Sequence, residues 1–175
     1  MPDQEQTLRA QFDLLHSGQE SVQALTLLDI GDETTEVISA SGTSAPIRLT
    51  LAIGAQKTAR EFLSHTPPSA ADMERAIMDV EDQVARASAC LPPDSTLFAI
   101  SAPLREIALL AGAPDQNPTQ LSRAALEQTF EQLAQASMGA PARRDLPNTP
   151  EFAARLLILR EWMHHLRFAS ITLLS

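Results

Sequence analysis

The chain has 175 residues, of which 44% are hydrophobic, and this length suits one domain around a single core. Its formal net charge of −9 does not favour binding to nucleic acid, and a single cysteine, Cys90, excludes an internal disulfide framework. The polar, acidic residues 1–5 are not typical of a signal peptide, and no apolar run reaches the roughly 18 residues of a membrane helix, so the cytoplasm is the expected compartment.

The first part of the chain alternates short apolar runs with turn residues. Residues 22–30 predict a buried strand that ends at Gly31, and residues 34–40 predict a second strand rich in β-branched side chains. The gap between them is short, which indicates a tight turn. A third strand is predicted over 46–53. Three consecutive strands joined by short turns predict an antiparallel meander.

After the third strand, the apolar residues recur at helical rather than strand spacing. Ser69 follows a pair of prolines and offers an N-cap, with Asp72 three residues later in a variant of the capping box. The predicted helices are 55–64, 70–89, 103–111, 122–138 and 151–167, and the predicted later strands are 96–101 and 169–174.

This order of elements predicts the fold class. A strand–helix–strand crossover places its two strands parallel, joined by a right-handed connection. We therefore expect an α/β fold over the whole of 1–175 as a single domain. Its five-stranded mixed sheet would be ribonuclease-H-like: a three-strand antiparallel meander is followed by parallel crossover strands, and helices pack on the sheet.

The segment 29–36 reads D-I-G-D-E-T-T-E. It resembles the D-I-G-G-G-S-T-E phosphate loop of the exopolyphosphatase/guanosine-pentaphosphatase (Ppx/GppA) family. The stretches 47–50, 62–68, 121–133 and 158–175 resemble the C-terminal half of the same family in order and spacing. The resemblance implies the actin/hexokinase-like superfamily, in which two such domains enclose a phosphate site.

In such a loop, backbone N–H groups at a glycine-rich hairpin point at a phosphate. Gly31 is kept here, whereas Asp32 and Glu33 replace the family's next two glycines, and their charges would repel an anion. The resemblance makes Gly31, Thr34 and Thr35 the candidate phosphate-binding residues. The alternative is that both threonines stand at the hairpin for their strand propensity alone.

The acidic positions of the loop are also kept. Asp29 and Glu36 match positions that the family associates with metal or water handling, which implies a Mg²⁺ pair across the hairpin. The alternative is that Asp29 caps a strand end and Glu36 is solvated. The family's catalytic glutamates fall on Gln6 and Thr7, which carry no carboxylate, so Glu5 and Glu36 are the remaining candidates for a catalytic base.

Further losses accompany these substitutions. Residues 1–20 resemble a remnant of the family's interdomain segment, and no glycine stands near 100–103, where the family has a G-T-G-G-T turn. We therefore expect a non-catalytic module that acts through interaction or weak phosphate or nucleotide binding. The expected partners are a second copy or a separate protein, with phosphate, polyphosphate or a guanosine nucleotide as ligand.

Two alternatives remain open. The first is a Mg²⁺-dependent phosphoanhydride hydrolase, an exopolyphosphatase or guanosine pentaphosphate phosphatase, completed by a dimer mate or partner domain. The second is a fragment or decayed gene product without a selected activity.

The last predicted helix carries two further features. His164 and His165 are adjacent, so their side chains point about 100° apart and are not expected to share one ion. Trp162 and Met163 are expected to pack into the core or a partner interface. An acidic run at 79–82 on an earlier helix is predicted to be a solvated face.

Overall fold

A computed structural model describes residues 2–17, 24–141 and 145–174, with no account of the side chains of residues 2–5. These residues form six helices and six strands in the order α1 (Pro2–Ser17), β1 (Leu25–Ile30), β2 (Thr35–Ala40), β3 (Ile47–Leu51), α2 (Ala55–Phe62), α3 (Ala70–Ser88), β4 (Thr96–Ile100), α4 (Ala102–Leu110), β5 (Thr119–Ser122), α5 (Arg123–Ser137), α6 (Pro150–His165) and β6 (Ser170–Leu174).

The strands form one mixed sheet in the order β3-β2-β1-β4-β6-β5. The first three strands are the predicted antiparallel meander, and β4 and β6 continue the sheet parallel to β1. The sheet has six strands rather than the predicted five, because β5 pairs antiparallel with β6 at the edge. With only four residues, β5 is too short to give a clear period-two signal.

Helix α1 is the second difference from the prediction. The sequence pattern predicts no helix within 1–20, the segment that resembles a remnant of the family's interdomain segment. Leu8, Phe12 and Leu15 recur at helical spacing and pack on one face of the sheet, against a cluster that includes Leu25 and Ile38. Burial of this apolar stripe explains why an otherwise polar segment folds as a helix on the sheet.

Helix α6 lies in the centre of the opposite layer and contacts α2, α3, α5 and β1. Trp162 and Met163 are fully buried there in the main core. Of the two places expected for Trp162 and Met163, the core is the one that they occupy, because the other helices of this chain cover them. In the part of the chain that is described, no helix is both long enough and apolar enough to cross a membrane.

Helix α3 begins at the predicted capping box. The hydroxyl of Ser69 accepts the backbone N–H of Asp72, and the Asp72 carboxylate accepts that of Ser69, both at 3.1 Å. The same carboxylate contacts His65 and Arg75, each at 2.6 Å, and the hydrogen bond from His65 holds the pKa of Asp72 well below its usual range. This network fixes the residue at which α3 begins.

Candidate functional site

The hairpin between β1 and β2 is the candidate site. Its turn closes with a hydrogen bond of 3.0 Å from the Gly31 N–H to the Thr34 carbonyl. A Cβ atom on Gly31 would lie 2.9 Å from that carbonyl oxygen, so a side chain there would force the turn apart. The surviving glycine is thus required by the turn itself.

Helix α2 starts directly against this turn. The N–H of Ala55 donates to the Gly31 carbonyl at 2.9 Å, and those of Gln56 and Lys57 donate to the Asp32 carbonyl at 2.9 and 3.0 Å. The first N–H groups of a helix have no partner within it and often bind anions. Here the hairpin backbone uses these three donors, so they are not available to a phosphate.

Gly54 makes this close approach possible, and the sequence reading did not single it out. A Cβ atom on Gly54 would lie 2.5 Å from both the Asp32 carbonyl oxygen and the Glu33 carbonyl carbon. The available signal was a glycine immediately before a predicted helix and after a predicted strand. Only the fold reveals that Gly54 approaches the backbone of Asp32 and Glu33.

The two acidic residues of the turn, Asp32 and Glu33, are both paired with arginines. The carboxylate oxygens of Glu33 contact the two terminal nitrogens of Arg60 on α2, each at 3.1 Å, and this lowers the pKa of Glu33. Asp32 lies 3.4 Å from Arg155 on α6. The carboxylates of Asp32 and Glu33 therefore already bind the two arginines that flank the hairpin.

Asp29 and Glu36, the predicted acidic pair, are directly opposite each other in the β1–β2 register. Glu36 is bound by Arg48 at 3.0 Å and by the Thr50 hydroxyl at 2.9 Å. Asp29 is half-buried, and no group in the described ranges donates a hydrogen bond to its carboxylate. Burial and the charge of Glu36 raise the pKa of Asp29, against a lowering effect of Arg155.

The remaining predicted residues differ in their access. Thr35 is fully buried, and its hydroxyl donates to the Ile53 carbonyl at 2.9 Å, so it does not face a ligand. The N–H of Gly31 is used inside the turn. Thr34 is exposed, and its hydroxyl makes no hydrogen bond with the residues that the structure describes. Glu5 lies in α1, but its side chain is outside the described part of the chain.

This donor set determines what the hairpin could hold. Mg²⁺ is commonly bound through one or two carboxylates together with substrate phosphates. Asp29 supplies one carboxylate without a competing hydrogen bond, whereas Arg48 and Thr50 already engage Glu36. The residues present fit a magnesium ion only together with a phosphate-bearing ligand.

Solved structures with the same arrangement of elements decide the fold. The PPX-GPPA enzyme of Aquifex aeolicus superposes with a TM-score of 0.71 at 14% identity, over 88% of this chain and 54% of the other. An exopolyphosphatase from Cytophaga hutchinsonii superposes with a TM-score of 0.63 at 16% identity, over 88% of this chain and 54% of the other. The chain has the Ppx/GppA fold.

The Ppx/GppA likeness concerns the fold, because the identities are low. The chain spans about half the length of these structures, as the resemblance to the family's C-terminal half implies. No protein-family model and no curated protein sequence matches the chain. Within the Ppx/GppA fold, the β1–β2 hairpin is the element whose sequence resembles the family's phosphate loop.

Proposed function

We propose that this chain is a non-catalytic domain of the Ppx/GppA fold that acts by binding a protein partner, and that its hairpin has at most weak affinity for phosphate. The observation that carries the proposal is the pairing of Glu33 with Arg60 and of Asp32 with Arg155. Where the family's loop has glycine, this loop has carboxylates that reach the neighbouring cations.

The pairing matters through electrostatics rather than through the strength of the ion pairs. Exposed ion pairs contribute little to stability, so a phosphate could displace either carboxylate from its arginine. The displaced carboxylates would nevertheless stay attached to the turn, within a few ångströms of the phosphate. Like charges at that distance repel. A phosphate bound to the arginines would therefore be repelled by the carboxylates of both Asp32 and Glu33.

The missing general base supports the same proposal. Gln6 and Thr7, which stand where the family has its catalytic glutamates, lie in α1, and neither side chain can accept a proton as a carboxylate does. The strand order also supports a ribonuclease-H-like ancestry, with β5 as an added edge strand. A fold of that origin can persist as a binding module after its chemistry is lost.

A partner surface is supported by the sheet face that α1 covers. Ile100 on β4 and Leu174 on β6 pack at the margin of the α1 cluster and are only partly buried. A second surface placed beside α1 would bury the remaining exposed area of these side chains. We propose a second copy of this chain or a separate protein as the occupant.

The test of this proposal is release of inorganic phosphate from polyphosphate and from guanosine pentaphosphate, with and without Mg²⁺. We expect rates equal to those of the protein-free control, because the loop and the base are both altered. Magnesium-dependent release that is abolished in Asp29→Asn would contradict the proposal. A protein heated past unfolding serves as the control for contaminating phosphate.

One observation favours the alternative of a hydrolase completed by a partner. The Asp29 carboxylate is half-buried and ionisable, lacks a hydrogen-bond donor among the described residues, and has a raised pKa. Buried carboxylates with perturbed pKa values concentrate at functional sites. The same phosphate-release assay distinguishes the two candidates, since only the alternative requires Asp29.

A further inference from the structure

A second cluster of ionisable groups lies at the other end of α6. Glu161 and His165 are one helical turn apart on α6, and Glu81 faces them from α3. Arg155, the α6 residue at the hairpin, precedes His165 by ten positions, which is about 15 Å along a helix. The cluster is therefore separate from the β1–β2 hairpin.

The three side chains converge on one point. Nε2 of His165 lies 3.2 Å from Oε1 of Glu81 and 3.2 Å from Oε2 of Glu161. The ligand atoms of all three lie within 4.8 Å of one another. A ring nitrogen carries at most one hydrogen, so it can satisfy only one of the two carboxylates.

Glu161 supplies an independent sign that a partner is missing. Its side chain is fully buried, and Oε2 has no hydrogen-bond partner among the described residues. A buried carboxylate oxygen without a hydrogen-bond donor is costly. The oxygen points to the space shared with Glu81 and His165, where a cation would satisfy it.

We propose that Glu81, Glu161 and His165 form a binding site for a divalent transition-metal ion, with zinc as the best fit. A tetrahedral zinc ion with bonds of about 2.0–2.1 Å holds its ligand atoms about 3.3 Å apart. The two distances of 3.2 Å match that spacing. Imidazole with carboxylates suits zinc, whereas calcium requires more oxygen ligands.

Residues next to Glu161 hold its carboxylate in an orientation suited to metal binding. Arg160 donates to Oε1 of Glu161 and lies over the Phe130 ring, 5.3 Å from its centroid. This contact holds one oxygen of Glu161 and leaves the other free for the ion, as outer hydrogen bonds do in metal sites. Glu81 and Glu161 supply two negative charges toward a divalent ion, and Arg160 pairs with the other oxygen of Glu161.

The site keeps one position open. Glu81 and His165 are 41% and 37% exposed, so solvent reaches the cluster from their side. A cavity of about 810 Å³ next to His165 is bounded by the 91–97 and 166–170 segments. Three protein ligands and an open fourth position are the arrangement of a metal site that accepts water or an external ligand.

The neighbouring histidine provides a matched control. Nδ1 of His164 contacts Oε1 of Glu127 at 2.9 Å, and this pair has no third ligand within reach among the described residues. The two adjacent histidines contact different carboxylates, His164 that of Glu127 and His165 that of Glu81. The sequence reading missed the spacing of Glu161 and His165, and it treated 79–82 as solvated, whereas Glu81 faces α6.

The test is a titration of the metal-depleted full chain with ZnCl₂ by calorimetry. We expect one saturable equivalent, weakened about tenfold or more in His165→Gln and in Glu81→Gln, and unchanged in His164→Gln. Glu81 and His165 are partly exposed, so these variants should fold, and circular dichroism checks that they do. The proposal is overturned if the parent protein shows no saturable binding at micromolar zinc, or if His164→Gln weakens binding as much as His165→Gln.

A second readout does not depend on calorimetry. Co²⁺ in a four-coordinate site with a histidine ligand gives visible absorption bands that hexaaqua Co²⁺ lacks. We expect these bands with the parent protein and with His164→Gln, and their loss with His165→Gln. Bands of equal intensity in all three proteins would contradict the assignment of His165 as a ligand.

Discussion

Asp32 and Glu33 set the charge of the hairpin turn, and each pairs with an arginine. The turn needs glycine at position 31, where a Cβ atom would meet the Thr34 carbonyl, and keeps it. Positions 32 and 33 are exposed and accept side chains, and those side chains find Arg155 and Arg60. The turn therefore requires glycine at position 31 but not at positions 32 and 33.

Asp29→Asn is expected to stabilise the fold at neutral pH. The pKa of Asp29 is raised above its ordinary value of 3.8, first by burial and then by Glu36, so ionising this group in the folded state has a cost. That cost develops as the pH rises through the folded pKa, and it is absent well below 3.8. Urea unfolding at pH 7 should therefore give a higher free energy of unfolding for the Asp29→Asn variant than for the parent protein.

The matched measurement is the same comparison at pH 3.5, where the carboxyl group is largely protonated in both states. The difference in free energy of unfolding between Asp29→Asn and the parent protein should be smaller at that pH. An equal difference at both pH values would show that the effect does not arise from the charge.

At the scale of elements, the contact between α2 and the hairpin organises the site. Three backbone N–H groups at the start of α2 bind the turn, and Gly54 provides the room for it. Arg60 on α2 and Arg155 on α6 then reach the turn from two sides. The site is therefore assembled from three elements that lie far apart in sequence.

Gly54→Ala is expected to reduce stability by about 1–3 kcal/mol, the range for over-packed sites, because the added Cβ meets backbone rather than a movable side chain. Thermal or urea unfolding measures the change. Gln56→Ala is the control, since this exposed residue is in the same helical turn and should change stability by less than about 0.5 kcal/mol. Equal effects of the two substitutions would contradict the close approach.

The elements also show how much could be predicted from sequence. Turn residues and apolar periodicity located the meander, and the prolines before Ser69 and the residue pair Ser69 and Asp72 located the start of α3. The short strand β5 and helix α1 were missed because four residues give little periodicity and because α1 is mostly polar. Pairings such as Asp32 with Arg155, 123 residues apart, follow only from the tertiary fold.

At the scale of the whole molecule, α6 links two sites with different chemistry. Its first half carries Arg155 to the hairpin, and its last turn carries His165 to the cluster with Glu81 and Glu161. Between them, most of the helix is buried, with Trp162 at 0% exposure. This one central helix therefore contributes residues both to the hairpin and to the proposed metal site.

The most direct test of this account is the binding of inorganic tripolyphosphate in the presence of Mg²⁺, compared by calorimetry between the parent protein and the double variant Asp32→Gly, Glu33→Gly. The double variant removes both attached carboxylates and frees Arg60 and Arg155. We predict no saturable binding by the parent protein at millimolar ligand and binding at least about tenfold tighter by the variant, a difference of about 1.4 kcal/mol. Binding by the parent protein as tight as that of the variant would contradict the claim that these acidic residues close the hairpin to phosphate.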